Sequence, residues 1–115
     1  MINNCLFCQI IEGKIPTHKL IETEMALAFR DINPQAPTHV LVIPKIHIES
    51  TLFINSEFMP YFEAMTKMSN EITKLEEISK SGYRWVINTG NDGGQTVNHL
   101  HLHVLGGRKL NWPPG

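Results

Sequence analysis

The amino-acid sequence predicts a single α+β domain with an antiparallel five-stranded sheet, one long helix on a face of that sheet, and a short N-terminal helix. Three observations predict this class. Short segments with strand character are separated by turn residues, one stretch repeats apolar residues at helical spacing, and no linker, repeat or low-complexity run interrupts the chain. A length of 115 residues leaves room for one domain, which we expect to span residues 1–115.

The two helices are predicted from apolar spacing and from residues typical of helix ends. Residues 5–12 carry apolar side chains at near-helical spacing, and Gly13 then provides a C-terminal stop. The long helix is expected to take Ser56 as its N-cap, with Pro60 tolerated in or near the first turn. Its apolar residues follow steps of three and four and should face a core, namely Phe58, Phe62, Met65, Met68, Ile72 and Leu75.

Five segments are predicted to be strands, namely residues 19–22, 25–30, 38–43, 83–88 and 99–105. The first two are separated only by Thr23 and Glu24, so they are expected to form a hairpin. Residues 31–37 contain two prolines and are predicted to be a loop. The third strand is rich in β-branched residues, should be buried on both faces, and should end at Pro44.

Composition restricts the partners and the location of the protein. The formal net charge of −1 leaves no basic excess to neutralise a phosphate backbone, so we expect no nucleic-acid partner. The longest apolar runs fall far short of the roughly 20 residues that cross a bilayer, which predicts no membrane span. The first residues lack the features of a signal peptide, so a cytoplasmic location with reduced Cys5 and Cys8 is expected.

Three of the six histidines alternate with apolar residues near the C-terminus. On a strand, this period of two places His99, His101 and His103 on one face and the intervening apolar residues on the other. The apolar face should enter the core, so the histidines should line a surface or a cleft. A solvated polar face and a three-histidine zinc site are the alternatives. For the zinc site, the sequence offers no obvious nearby carboxylate to accept from the histidine rings and orient them.

A glycine turn, residues 91–96, lies just before the histidines. Its glycines allow backbone N–H groups to approach an anion, and Gln95 and Thr96 add side-chain donors. Such glycine pairs also occur in ordinary hairpins. Because only two residues separate this turn from the histidines, we interpret it as a phosphate cradle beside a nucleophile.

These residues resemble the motif of the histidine triad (HIT) family. The resemblance rests on Gly93-Gly94-Gln95-Thr96-Val97-Asn98, on the His-x-His-x-His-Val-Leu-Gly-Gly-Arg that follows, on residues 31–47, and on the tail Trp112-Pro113-Pro114-Gly115. Within the family the chain is similar to the nucleotide-binding phosphoramidase branch. The resemblance implies a HIT-like fold and a hydrolase that cleaves the P–N bond of purine nucleoside 5'-phosphoramidates, releases a nucleoside monophosphate, and requires no cofactor for the chemistry.

The resemblance also implies catalytic roles. His101 would attack phosphorus as a neutral imidazole and form a nucleotidyl-histidine intermediate, while the backbone carbonyl of His99 orients its ring. His103 would donate to a phosphate oxygen and stabilise the developing charge. Gln95 and Thr96 would bind the phosphate and the leaving side.

Further residues are implied to hold the nucleotide. Asp31 would accept hydrogen bonds from the ribose hydroxyls, with a loop cap as the alternative role, and Asn88 would lie beside the phosphate. The other nucleotide-binding residues, for which core packing is the alternative wherever they are apolar, are Leu6, Phe7, Ile10, Phe29, Ile32, Gly94 and Val97. Three positions depart from the usual pattern of the family, namely Thr96 in place of serine, Asn98 in place of an aromatic residue, and Arg30, which would alter the charge at the rim of the pocket.

Metal and subunit partners follow from the same resemblance. Cys5 and Cys8 would bind a structural zinc ion together with His47 and His99, although cysteines three apart also fit a buried helix face. A two-fold homodimer is implied, with the sheets joined, the long helices packed together, and Trp112 near the partner's leaving-group side. Two other functions share the motif, a dinucleoside polyphosphate hydrolase or nucleotidyl transferase and a non-catalytic nucleotide-binding scaffold.

Overall fold

The computed structural model describes residues 4–115, which form two α-helices, five strands and one short 3-10 helix. In chain order these are α1 (Leu6–Ile11), β1 (Lys19–Glu22), β2 (Ala26–Arg30), β3 (Thr38–Pro44), the 3-10 helix (Thr51–Phe53), α2 (Met59–Leu75), β4 (Tyr83–Val86) and β5 (Leu102–Gly106). The strands form one sheet in the order β1-β2-β3-β5-β4, and every neighbouring pair is antiparallel. The predicted α+β class is therefore confirmed.

The period of two along the strands divides the sheet into two faces. On one face Val40, Val42 and Val104 pack against α2, whose Met65 and Ile72 are also fully buried. Each such side chain contributes roughly 1.5–3 kcal/mol to stability through its removal from water. On the other face α1 packs through Phe7, Cys8 and Ile10, and its partners on the sheet are Leu27, Phe29, Leu41 and Ile43.

At the start of the long helix the predicted Ser56 N-cap is wrong, whereas Pro60 lies in the first turn as predicted. The helix begins at Met59, and the turn before it is closed by Asn55 rather than by Ser56. The Asn55 side-chain oxygen accepts from the Phe58 amide at 3.0 Å, and its carbonyl oxygen accepts from the Met59 amide at 2.8 Å. Asn55 can accept hydrogen bonds from both amides because it lies one residue further from the helix than Ser56, so its side chain reaches back over the turn.

The apolar stripe of α2 is only partly buried against its own sheet. Met65, Met68 and Ile72 are buried, whereas Phe58 and Phe62 are half-buried and Leu75 is 56% exposed. None of the helices within residues 4–115 combines the length and the apolar character needed to cross a membrane.

The last two strands are shorter than predicted. β4 ends at Val86 instead of residue 88, and β5 begins at Leu102 instead of His99. The physical reason at β5 lies in its neighbour, because β3 ends at Pro44, which has no N–H to continue the ladder. The chain before Leu102 is held by single contacts instead, such as the Leu100 amide donating to the Ile48 carbonyl at 2.6 Å.

Arg30 is among the residues that line a pocket, but its charge is paired with a carboxylate of the same chain. Its guanidinium donates to both carboxylate oxygens of Glu76 at 2.7 and 2.9 Å, and so ties β2 to the end of α2. This bidentate contact holds the pKa of Glu76 below its ordinary value.

Candidate active site

His101 is held by its own chain in an orientation suited to a nucleophile. Its Nδ1 lies 2.7 Å from the carbonyl oxygen of His99, so Nδ1 carries the proton and donates. The lone pair of the neutral ring is therefore on Nε2. Burial lowers the pKa of His101, which is only 5% exposed, so the ring remains neutral at pH 7.

A chain of hydrogen bonds makes one ring nitrogen of His103 an acceptor and the other a donor. The Gln35 amide donates to His39 Nδ1 at 3.0 Å, which leaves the proton of neutral His39 on Nε2. That Nε2 lies 2.9 Å from His103 Nδ1 and donates to it, so the proton of His103 is on Nε2. Within residues 4–115 this buried N–H has no hydrogen-bond partner. Burial lowers the pKa of His103 to about 4, so the ring stays neutral and keeps this arrangement.

His39 is a site residue to which the sequence analysis assigned no role. It lies on β3, opposite Leu105 of β5, on the face that carries His103. The signal for it was available, because a histidine inside a strand of buried apolar residues needs specific partners. Those partners, the Gln35 amide and His103, come from a loop and from a distant strand, so the sequence alone did not reveal them.

An apolar pocket of about 310 Å³ opens beside the two histidines. Most of the residues that the resemblance implies to hold the nucleotide or to act in catalysis line it. They are Leu6, Phe7, Ile10, Phe29, Asp31, Ile32, Thr96, Val97, His101 and His103. Phe7 and Phe29 are nearly inaccessible and also serve the core, whereas Ile32 is 97% exposed and stands at the rim. The volume lies at the lower end of the range typical of small-ligand sites.

Asp31 has the loop-cap role that the sequence offered as an alternative to ribose binding. One carboxylate oxygen accepts from the Asn33 amide at 2.8 Å, which caps the loop. The other oxygen lies 3.4 Å from His39 Nε2 and on the wall of the apolar pocket. The carboxylate is thus fixed by the loop on a wall of the apolar pocket, and its binding to ribose stays a prediction.

The glycine turn is built as predicted, but the Gln95 side chain is committed to holding it together. Its amide nitrogen donates to the carbonyls of Glu49 and Val97 at 2.7 and 3.0 Å, and its oxygen accepts from the Gly90 amide at 3.0 Å. A Cβ on Gly93 would lie 2.3 Å from the Thr89 carbonyl oxygen, so only glycine fits there. Phosphate binding by Gln95 and by Gly94 stays a prediction.

A second cavity, which we call the tail cavity, lies on the other side of His103. It measures about 750 Å³ and is lined by Asn88, Gly93 and His39, by two arginines, and by the C-terminal residues Pro113, Pro114 and Gly115. One of these arginines, Arg84, donates to the Asn111 carbonyl at 3.0 Å, and its guanidinium lies 5.9 Å from the Trp112 ring centre. The tail therefore forms a wall of this cavity, and Trp112 is 80% exposed.

The four residues proposed to bind zinc do converge, and we call them the cysteine–histidine cluster. Their ligand atoms, from Cys5, Cys8, His47 and His99, all lie within 4.8 Å of one another. His99 Nε2 donates to the Pro44 carbonyl at 3.1 Å, so the Nδ1 lone pair points to the sulfur atoms of Cys5 and Cys8 at 3.4 and 3.6 Å. A backbone carbonyl on the far nitrogen is the usual orientation of a metal-binding histidine.

The His99 side chain departs from the prediction that all three histidines line a surface or cleft. It is fully buried beneath α1, and burial lowers its pKa to about 4. A neutral imidazole with two cysteine thiols, which form no disulfide, is the donor set that zinc prefers. A second close group, Asp31 with His39 and His103, is less suited to a metal because His39 Nε2 carries a proton.

The arrangement defines a class of site in which the neutral, oriented imidazole of His101 lies next to the His103 donor in one pocket, while His103 also lines a second cavity. Comparison with known proteins agrees with it. The HIT domain family model matches residues 12–110, and the chain belongs to the HIT family.

Relatives and solved structures match almost the whole chain. An uncharacterised HIT-like protein of Synechococcus elongatus is 46% identical over 115 residues, which is 100% of both chains. A 14 kDa zinc-binding protein of Zea mays is 45% identical over 115 residues, covering 96% of this chain and 87% of its own length. The crystal structure of a HIT family hydrolase from Legionella pneumophila has a TM-score of 0.95 at 46% identity and covers 97% of this chain and 100% of that one.

Proposed function

We propose that the protein is a purine nucleoside phosphoramidase, a nucleotide hydrolase that uses His101 as its nucleophile. One observation carries this proposal. The rings of His101 and His103 line one pocket, and each has an Nε2 without a partner among residues 4–115, a lone pair on His101 and an N–H on His103. The first is suited to attack a phosphorus atom and the second to donate to an oxygen on it. The relationship to a protein named as a HIT family hydrolase supports it.

The reaction follows from these two nitrogens. His101 Nε2 forms a bond to the α-phosphorus while the P–N bond breaks, and the departing amine takes up a proton from solvent. His103 donates to a phosphate oxygen and stabilises the charge that develops there. Water then cleaves the nucleotidyl-histidine, which releases a nucleoside monophosphate and restores the imidazole. The apolar pocket would hold the base, and Asp31 would accept from the ribose hydroxyls.

A dinucleoside polyphosphate hydrolase is the second candidate, and the tail cavity favours it. At about 750 Å³ the cavity has room for a second nucleotide, and Arg84 and Arg108 on its wall form no ion pair with any carboxylate of residues 4–115. The same His101 chemistry would serve both reactions. A scaffold without turnover is disfavoured because the donor and the lone pair are both in place.

The test compares turnover of adenosine 5'-phosphoramidate and of diadenosine polyphosphates at equal enzyme concentration. We expect the phosphoramidate to be the better substrate, and His101→Ala to lose several orders of magnitude in rate while AMP still binds. Replacement of the exposed His18 by Ala is the matched control and should leave both rates unchanged. Near-normal hydrolysis by His101→Ala would reject the nucleophile, and faster polyphosphate cleavage would favour the second candidate.

We also propose that the cysteine–histidine cluster holds a structural zinc ion. The support is the donor set, the spacing of the four ligand atoms and the Pro44 carbonyl behind His99. A relative named as a zinc-binding protein is consistent with it. When bound, zinc would join α1 to the sheet through Cys5, Cys8, His47 and His99, and the hydrolysis itself would require no cofactor.

A two-fold homodimer is the third proposal. β4 lies at an edge of the sheet, where its backbone can pair with a second chain. Apolar residues at this side are exposed, with Tyr83 at 39% and Leu75 at 56%. Joining two chains along β4 and α2 would cover Tyr83 and Leu75.

A further inference from the structure

We propose that metal binding at the cysteine–histidine cluster and nucleotide binding in the apolar pocket strengthen each other through α1. This inference rests on the proposed function and on the proposed zinc site. It assigns the metal a part in substrate affinity, in addition to its part in stability.

The helix α1 is shared between the two sites. Cys5 caps the helix and Cys8 lies within it, and both sulfur atoms face the cluster. Leu6, Phe7 and Ile10, from the same two turns, form the wall of the apolar pocket. Movement of this one element therefore changes both sites together.

The helix depends on its attachments. It has six residues, far fewer than the roughly 12–15 that an isolated helix needs for marginal stability in water. In the structure the cluster joins α1 to His47 and His99 through sulfur–nitrogen contacts of 3.4–3.6 Å, and sulfur is a weak hydrogen-bond partner. Four coordination bonds in place of these contacts would shift α1 towards its docked position.

The contact from α1 to the nucleophile passes through Phe7. Its ring meets that of His101 edge-on, with centres 5.1 Å apart at 82°, and it meets that of His99 at 5.8 Å and 78°. His99 is linked to both sites as well, because its side chain faces the cysteines and its carbonyl orients His101. If α1 leaves the sheet, the pocket loses a wall and His101 loses its packing partner.

Two quantitative consequences follow from local opening of α1. If only the docked form binds nucleotide, the apparent Kd equals the intrinsic Kd divided by the docked fraction. Because coupling between sites is reciprocal, the factor by which metal strengthens AMP binding equals the factor by which AMP strengthens metal binding. We expect a factor of about 5 or more, at the lower end of measured couplings between sites.

The experiment measures both affinities in the full chain. The Kd of AMP is determined by calorimetry for chelator-treated and for zinc-loaded protein, and the Kd of zinc is determined against a competing chelator with and without saturating AMP. We expect the two ratios to agree at about 5 or more. Hydrogen exchange of the α1 amides should slow on addition of AMP to the metal-free protein.

Two variants separate coupling from general stability. Ile72→Val weakens the core on the opposite face of the sheet and should leave the ratio unchanged. Phe7→Leu keeps all four ligands but weakens the packing of α1 on the sheet. Its metal-free docked fraction should therefore fall and its ratio should exceed that of the wild type, whatever its effect on intrinsic AMP affinity. A ratio of one in the wild type, a ratio in Phe7→Leu no greater than that of the wild type, or no zinc binding would overturn the inference. Failure of the zinc-loaded protein to bind AMP would overturn the proposed function as well.

Discussion

The acid sensitivity of the metal-free protein can be predicted from His103. Its pKa is lowered to about 4 by burial, with His101 and His39 adding unfavourable charge interactions, whereas an unfolded chain holds its histidines near 6.5. Between these two values the unfolded state binds a proton that the native state does not. Stability is therefore fully retained above about pH 6.5 and falls as the pH decreases towards 4.

The magnitude follows from the two pKa values. At pH 5 an unfolded histidine is about 97% protonated. At 1.36 kcal/mol per pH unit, this protonation of the unfolded state lowers the free energy of unfolding by about 2 kcal/mol. His103 is partly exposed, so solvent screening reduces the expected loss to about 1–2 kcal/mol. His99, whose pKa is also lowered to about 4 by burial, acts in the same direction.

Urea unfolding at pH 7.5 and pH 5, with chelator present, measures this loss. His103→Gln should lose about 1–2 kcal/mol less than the wild type between the two pH values, because the variant has one fewer buried neutral imidazole. Val104→Ala is the control, since it opens a cavity in the core without removing a titratable group and should follow the pH dependence of the wild type. An equal loss in wild type and His103→Gln would refute the reasoning.

Two further predictions concern proton placement and the tail. Gln35→Pro removes the amide that donates to His39 Nδ1, so the protons of His39 and His103 can move to their other nitrogens, and we expect kcat to fall by about 5–100-fold. Gln35→Ala keeps the backbone amide and should retain the wild-type rate. If nitrogen NMR shows that His103 keeps its proton on Nε2 in both variants, the hydrogen-bond chain from Gln35 through His39 does not place this proton. Deletion of residues 112–115 should leave a dimer in sedimentation while changing kcat/KM differently for bulky and small amine leaving groups. A monomer at micromolar concentration, or an equal change for all substrates, would contradict the proposed assembly and the role of the tail.

Residue alternation was sufficient to predict which side of the sheet carries the histidines. His103 shares its face with Leu41, while Leu102 and Val104 enter the core beneath α2. The prediction failed for the start of the strand because the ladder depends on a neighbour. Pro44 ends β3, and the residues from His99 to His101 are then positioned by the contact between a histidine ring and a backbone carbonyl, which no periodicity reveals.

The sequence by itself determined the fold class and the approximate positions of the five strands, because these depend on local spacing. The nucleophile and the four residues of the cluster were predicted from the resemblance to the HIT family. Only the tertiary structure decided which groups form hydrogen bonds and ion pairs with each other. Gln95 holds the turn, Arg30 pairs with Glu76, and His39 links the Gln35 amide to His103. These contacts join residues from separate elements, and their partners are set by the packing of the strands and loops. The position of α1 between the cysteine–histidine cluster and the apolar pocket has the same origin, since one short helix packs against the sheet where both meet.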